Sequence, residues 1–449
     1  MKITIETLCD GMGVGSINGK PVHVPKTLPE EIIEIQEVRR KKKFSIALVK
    51  KIRKKNRFRK RAKCKHFPIC QGCQLQHLKD DKQLQVKQRK IDSLFAPLKV
   101  FSITPCKNPF HYRNKVELTF TQTHESKTLG FMPLFGFQAF DLKNCLLFDP
   151  WIKDAKRIIQ QWWDETGYMS YEMRSCKGSL RNVTLRTAKR SQDKMVILQI
   201  NCNPKYAIKR KDLDHLYLSL TKIDSNIGFY IKLYQVHAKS PTQEFTWHYG
   251  GCGVLNETMQ LDHRTLHFKI GPNTFFQPNL MMAEKMLSVM HHWLEPYKGG
   301  ICLDLYCGIG SIGMSVCDLF DHVFGIEVNR ESILDAKEAA RQNTITNCTF
   351  LACDAKAFLM ECKHSIDVII VDPPRAGLGL KTIEHIKALN PKVILYLSCN
   401  PKTQLEDMQA LNDQYFIEKI QPFDAFPNTY HIENLLLMKS CNEFTQKQL

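Results

Sequence analysis

The sequence predicts a multidomain α/β protein, with a small N-terminal β-barrel, a strand-rich central domain and a C-terminal Rossmann-like domain. Three observations carry this. The chain has 449 residues, more than one ordinary hydrophobic core organises. Its N-terminal stretch alternates short apolar runs with turn signals. From Gln277 onward, helical and strand patterns alternate, as a parallel sheet with crossover helices requires. The predicted domains are 1–62, 63–275 and 276–449.

In residues 1–62 the apolar runs are Ile3-Ile5, Val22-Val24, Ile32-Ile35 and Ile46-Val49. Asp10-Gly11, Asn18-Gly19 and Leu28-Pro29 separate them. Short strands with Gly-rich hairpins suggest a barrel. The formal charge of the chain is +19, and Arg39 to Lys65 holds 16 Lys or Arg in 27 residues with no Asp or Glu. Phe44, Ile46, Leu48, Val49, Ile52 and Phe58 are interleaved with these cations. A solvated charge run needs no such apolar residues, so part of the stretch packs in a folded module. A basic face on a folded module is the footprint of nucleic-acid binding.

No apolar run approaches the roughly 18 residues that span a bilayer, and the opening MKITIETLCDGMGVG lacks a signal-peptide apolar core. The expectation is a soluble cytoplasmic protein that binds RNA or DNA, with no membrane and no obligate protein partner. The 17 cysteines are scattered, which suits reduced thiols rather than a secreted disulfide framework.

Cys64, Cys70 and Cys73 are the one close set. A metal site needs a fourth ligand. Composition alone favours zinc, completed by Cys or His, and His66 and His77 lie nearby. A helix is predicted from Asp80 to about Leu94, with Leu84, Lys87, Ile91 and Leu94 at helical spacing. The middle, about 110–275, reads as strands (Val116-Phe120, Val183-Thr187, Met195-Ile200, Gly228-Tyr234, Leu266-Ile270) and contains no phosphate-loop or triad motif.

The C-terminal domain is predicted as a helix over Met281–Trp293, a strand over Ile301–Leu305 and a helix over Ser311–Leu319. A strand over Val323–Ile326, a helix over Arg330–Asn343, and strands near Thr349–Leu351, Val368–Val371 and Val393–Leu397 follow. Asp304-Leu-Tyr-Cys-Gly-Ile-Gly-Ser-Ile-Gly313 sits between strand and helix and satisfies G-x-G-x-x-G. Alone it would permit a dinucleotide site. Asp304, just before the glycines, repels a pyrophosphate and tolerates a cationic methionine moiety, which favours S-adenosylmethionine over NAD. Glu327 suits a ribose diol, and Asp354 an adenine.

Val371-Asp-Pro-Pro-Arg375 ends the next strand. Two prolines make a rigid extended turn that holds Asp372 at the carboxyl end of the sheet. Arg375 stands where amino-methyltransferases carry an aromatic residue, which disfavours methylation of an exocyclic amine. Ile394-Leu-Tyr-Leu-Ser-Cys-Asn-Pro-Lys-Thr403 then places Cys399 at a strand tip. The bland reading is a small buried thiol. The sharper one is a nucleophile that adds to C6 of uracil and makes C5 able to attack a sulfonium methyl group. A general base must then take the C5 proton. His431 and Glu433 both sit at the mouth of the final strand, and the residues alone do not choose between them.

Together these pieces resemble the RNA uracil-5-methyltransferase family: Phe275-Phe-Gln-Pro-Asn279, Asp304-Leu-Tyr-Cys-Gly-Ile-Gly310, Asp372-Pro-Pro-Arg-Ala-Gly377, Ser398-Cys-Asn-Pro401 and His431-Ile-Glu433. The resemblance covers nearly the whole chain. It implies Cys399 as nucleophile, Glu433 as base, and Gln277, Tyr306, Glu327 and Asp372 as contacts for S-adenosylmethionine. Ser311 and Asp354 occupy cofactor-contact positions where the family often has Asn. Residues 1–62 resemble the TRAM module, a small RNA-binding barrel. The spacing of Cys64, Cys70 and Cys73 resembles the iron–sulfur branch, which implies a [4Fe–4S] cluster with Cys145 as fourth ligand and a structural or RNA-binding role. A TRAM module with a cluster implies 23S ribosomal RNA, free or partly assembled, as substrate, with uracil 1939 as the favoured site. Transfer RNA is the alternative substrate. Two competing readings are an inactive TRAM-type RNA-binding protein and an NAD-linked oxidoreductase. The latter leaves Cys399 and Asp372 unexplained.

Overall fold

The structure is a computed structural model that describes residues 1–42, 44–235 and 243–441. Lys43 of the basic run and the last residues of the predicted catalytic domain lie outside the described residues, and the Arg40 side chain is not described. The chain forms two compact units, Met1–Pro109 with Pro422–Glu433, and Phe110–Gln421 with Asn434–Leu449.

The first unit contains a six-stranded sheet. Its order is Lys2–Thr4, Ile32–Arg40, Ser45–Lys54, Lys20–Pro25, Met12–Ile17, Thr7–Cys9. Asp10-Gly11 and Asn18-Gly19 turn two of its hairpins, with φ of 47° and 76°, and 49° and 75°. Positive φ at both central residues matches the right-handed strand twist, which is why Asp-Gly and Asn-Gly signal hairpins. Ile3, Ile5, Val22, Val24, Ile33, Ile35 and Ala47 make the core. Lys50, Lys51, Arg53 and Lys54 remain exposed, so the basic run is half core strand and half charged surface, as expected from its interleaving.

The helix Asp80–Leu94 has the predicted bounds, but its buried row is Gln83, Lys87 and Ile91. Leu84 and Leu94 are only half-buried. The polar residues turn inward because the segment Pro422–Glu433 offers them partners. Lys87 Nζ pairs with the Asp424 carboxylate and donates to Phe426 O at 3.1 Å. Asn428 N donates to Gln83 Oε1 at 3.0 Å. Burial holds the Lys87 ammonium below its ordinary pKa against the pull of Asp424. Lys87→Ala leaves Asp424 charged and buried, and is expected to cost about 3–5 kcal/mol. Hydrogen exchange across 422–433 should lose protection, whereas unchanged protection would mean that the pair holds nothing.

The second unit contains two seven-stranded sheets and a hairpin, Leu255–Gln260 with Thr265–Ile270. The first sheet runs Gln243–Gly250, Gly228–Gln235, Lys194–Asn201, Leu180–Thr187, Lys115–Gln122, Lys127–Phe131, Phe140–Asp141. The helices Trp151–Glu165 and Arg210–Leu220 accompany it. The strand-rich expectation holds here, although it gave these helices no place.

The strands of the last sheet are numbered in chain order: β1 (Ile301–Leu305), β2 (His322–Glu327), β3 (Cys348–Ala352), β4 (Val368–Val371), β5 (Val393–Ser398), β6 (Tyr415–Phe423) and β7 (Glu433–Ser440). Their order is β3-β2-β1-β4-β5-β7-β6. The first five are parallel, and β7 runs antiparallel to β5. β1, β4 and β5 are nearly continuous apolar runs, as strands covered on both faces must be. The order reverses between β1 and β4, which opens a crevice at their carboxyl ends. Among the described residues no helix is long and apolar enough to cross a membrane.

Candidate functional site

Each strand that ends at this crevice delivers one of the singled-out residues. β1 leads into Tyr306 and the glycine turn, and Gly310 caps the helix Ser311–Val316 with Ser311 as its first residue. Asp304 is fully buried, and its Oδ2 accepts from Gly313 N at 2.9 Å. Its Oδ1 has no hydrogen-bond partner among the described residues. Burial, with Asp372 and Glu327 adding, pushes its carboxyl up to about 8. Gly308 has open space where a side chain would stand. Glu327 ends β2, and it accepts from Gly308 N at 3.3 Å and Asn329 N at 2.9 Å.

An orphaned buried carboxylate oxygen, an open glycine turn and a carboxylate at the next strand end fit a cationic amino acid joined to a ribose. Asp304 could hold a cation and Glu327 a diol. Burial also raises the Tyr306 phenol. Asp354 follows β3 but is exposed and caps the helix Ala355–Glu361, accepting from Lys356 N and Ala357 N at 3.0 and 3.1 Å. Gln277 lies half-buried ahead of the helix Leu280–Leu294, its carbonyl held by Asn114 Nδ2 at 2.9 Å.

Asp372 directly follows β4, and burial of its carboxyl pushes it up to about 7 although part of the residue reaches solvent. Cys399 directly follows β5, half-exposed, at the start of the helix Pro401–Leu411. The two loops are tied together. Asn400 Nδ2 and Thr403 Oγ1 both donate to Arg375 O, at 3.0 and 3.3 Å. Asp407 Oδ2 accepts from Leu378 N at 2.8 Å and Tyr396 Oη at 2.7 Å. Gln404 Nε2 donates to Tyr396 O and Asn434 O, at 2.9 and 3.1 Å.

Sequence reasoning missed Asp407 and Gln404. Their signal was two polar residues at i, i+3 on the stripe that also carries buried Leu411. Asp304, which the sequence marks only as tolerating a cation, brings an orphaned buried oxygen to the site. A lone acid inside the apolar run of β1 was its signal. Glu433 is buried and opens β7, and its successor Asn434 pairs with Ser398 in the ladder.

The clustered cysteines lie in the first unit and Cys145 in the second. Gly72 N–H donates to Cys70 Sγ at 3.3 Å, and Gln76 Nε2 to Cys73 Sγ at 3.8 Å. Lys26 donates to Cys73 O. Burial lowers the Lys26 ammonium to about 8 while Cys70, Cys73 and Cys64 pull it back up. Sulfurs that accept N–H bonds beside a cation fit a set of metal-bound thiolates. Nearby His77 is fully buried with neither ring nitrogen hydrogen-bonded by a side chain, and burial pushes it down to about 3.

A second group of ligand-type atoms, His263, His291 and Asp318, is spoken for structurally. His263 Nε2 meets Ser315 O at 2.8 Å, and His291 Nε2 meets Asp318 Oδ2 at 2.9 Å. The two rings stack at 3.5 Å. They secure the end of the helix that follows the glycine turn.

Residues 251–441 match the family model described as tRNA (Uracil-5-)-methyltransferase. The chain is 34% identical over 440 residues to an uncharacterized RNA methyltransferase of Protochlamydia amoebophila, covering 93% of this chain and 99% of that one. It is 30% identical to an uncharacterized RNA methyltransferase of Staphylococcus aureus, covering 95% of each. Among solved structures it is similar to the Pyrococcus abyssi tRNA (uracil-54, C5)-methyltransferase in complex with S-adenosyl-L-homocysteine. The TM-score is 0.74 at 25% identity, covering 98% of this chain and 100% of that one.

Proposed function

The chain belongs to the RNA uracil-5-methyltransferase family, and from that premise we propose that it methylates C5 of a uracil in 23S ribosomal RNA through a covalent bond from Cys399 to C6. One observation carries the mechanism. Adjacent parallel strands β4 and β5 lead directly into Asp372 and Cys399, and Asn400 and Thr403 donate to Arg375 O in the loop after β4.

Bound S-adenosylmethionine supplies an electrophilic methyl group on a sulfonium. Asp304, Gln277, Tyr306, Glu327 and Asp372 would hold and orient it, and Ser311 and Asp354 would add further contacts. The Cys399 thiolate adds to C6, and the C5–C6 electron pair becomes available at C5. Once C5 has taken the methyl group from the sulfonium, leaving S-adenosylhomocysteine, Glu433 removes the C5 proton, the C5–C6 double bond re-forms and the thiolate leaves.

Asp304 and Asp372, raised to about 8 and about 7, set a pH dependence. A bound cation favours their ionised forms. Below pH 7 binding must first expel protons, so cofactor affinity is expected to rise as pH increases through about 7 to about 8. Asp304→Asn should flatten the upper part of that rise. Calorimetric titration across this range checks it, and a flat wild-type profile would contradict it.

The substrate reading rests on the resemblance of residues 1–62 to a TRAM barrel and of the cysteines to the iron–sulfur branch. Cys64, Cys70, Cys73 and Cys145 would hold a [4Fe–4S] cluster, which supplies a structural staple for RNA binding and no electron. The three-domain division at 62 and 275, a cytoplasmic site of action and uracil 1939 belong to the same reading. Transfer RNA is the second reading, favoured by the Pyrococcus enzyme matched along nearly the whole chain. Labelled S-adenosylmethionine should be offered with unmodified 23S and transfer RNA side by side, and the product nucleoside mapped. Label at uracil 1939 supports the first reading. Label only in transfer RNA supports the second. No label in either overturns both.

A further inference from the structure

We propose that the edge strand Gln243–Gly250 of the second unit is a stacking platform for unpaired RNA nucleotides. The proposal rests on the family reading that the substrate is RNA. Phe245 and Trp247 are exposed to 55% and 57% of their surface. The other four tryptophans, Trp151, Trp162, Trp163 and Trp293, are at most 8% exposed. Two large neighbouring aromatics in solvent are uncommon on a protein without a ligand for them.

Trp247 is the outer end of a ladder of rings, and Phe245 stands beside it on the strand. Tyr217 stacks on Phe229 at 5.9 Å, Tyr249 meets Phe229 at 5.4 Å, and Trp247 meets Tyr249 at 5.4 Å. Phe245 and Trp247 stand two residues apart, on one face of the strand, about 7 Å from each other along it. The inner rungs are fixed: Phe229 is fully buried, and Tyr249 Oη is bound to Asp214. Trp247 is therefore presented on a rigid base and loses little freedom on binding. The strand is the last in its sheet, and among the described residues no further strand of that sheet lies beyond it.

Charge selects the occupant. Tyr249 Oη also donates to Arg210 O at 3.4 Å, which places the exposed run Lys209, Arg210 and Lys211 beside the ladder. Aromatic rings beside lysine and arginine are the combination that binds single-stranded nucleic acid, the rings taking bases and the cations phosphates. A second copy of the chain is the poorer occupant, because a net charge of +19 opposes self-association. The strand would then hold unpaired RNA on either side of the target uracil.

Trp247 is its own probe, since it is the one solvent-facing tryptophan. The full chain is titrated with single-stranded oligoadenylate while tryptophan emission and the anisotropy of labelled RNA are read together. Stacking should quench Trp247 and shield it from iodide at the concentration where anisotropy rises. Trp247→Phe should lose the quench and keep the affinity. Phe245→Ala with Trp247→Ala should weaken binding about 5- to 160-fold for each base lost, with circular dichroism unchanged. Binding by anisotropy with no change in Trp247 emission overturns the platform and leaves the methyltransferase reading intact. Absence of any RNA binding overturns both. An emission change that follows protein concentration without RNA overturns it in favour of self-association.

Discussion

Cys399→Ala is expected to abolish methyl transfer while leaving cofactor affinity and the fold unchanged. Uracil C5 is a poor nucleophile, and only the C6 adduct gives it the electron density to displace a sulfonium methyl group. With the thiol removed, no other group in the proposed mechanism makes that bond, so turnover should fall by at least about 10⁴-fold, as for other enzymes stripped of their nucleophile. Stability should hardly change, because Cys399 is half-exposed at a strand end and a small truncation there opens no cavity. Cofactor binding should persist, because Asp304, Glu327 and Asp372 are untouched. Label transfer and calorimetry separate the two quantities. RNA carrying 5-fluorouracil gives a positive counterpart: fluorine replaces the proton that Glu433 would remove, so wild type should stay joined to RNA and C399A should not. Methyl transfer by C399A would end the covalent mechanism. Transfer by neither protein, with RNA still bound, would restore the inactive RNA-binding reading.

The same residue shows what was legible in the sequence. A nearly continuous apolar run that closes on Ser-Cys and then Asn-Pro reads as a strand tip and a sharp turn, and β5 is that strand; the helix Pro401–Leu411 after the turn had no place in that reading. Local periodicity likewise placed the helix over Met281–Trp293, found as Leu280–Leu294. The helix predicted over Ser311–Leu319 is an α-helix only to Val316, and a tighter turn, Cys317–Leu319, completes it. Long-range partners were not legible. Nothing in Gln83 and Lys87 announces Asp424 or Asn428, more than three hundred positions away. The inward polar row of that helix is set by partners that periodicity does not contain. Asp354 shows a related ambiguity. An Asp after a strand is as good a helix cap as a ligand, and here both neighbouring amides point at it.

Gly310 and Gly325 carry the second large effect. A Cβ at Gly310 would stand 2.4 Å from Phe350 Cε1, and one at Gly325 2.4 Å from Phe350 Cδ1. Gly325 on β2 is also the ladder partner of Phe350 on β3, so the Phe350 ring fills the space that both glycines leave. The ring is 1% exposed and has nowhere to go. Alanine at either position should cost about 1–3 kcal/mol through overpacking. Gly310 adds a second cost, because its φ is 74°, where a side chain is strained by about 1–2 kcal/mol. It also caps the helix that carries the cofactor turn. G310A should therefore lose both stability and cofactor affinity, and G325A chiefly stability. Phe350→Leu separates the causes. It removes the steric conflict in both backgrounds, so G325A should recover much of its stability and G310A only part, with cofactor affinity still low. Denaturant unfolding and calorimetry read the two effects. Equal rescue of both variants would show that backbone strain at Gly310 contributes nothing, and that crowding by Phe350 alone requires glycine there.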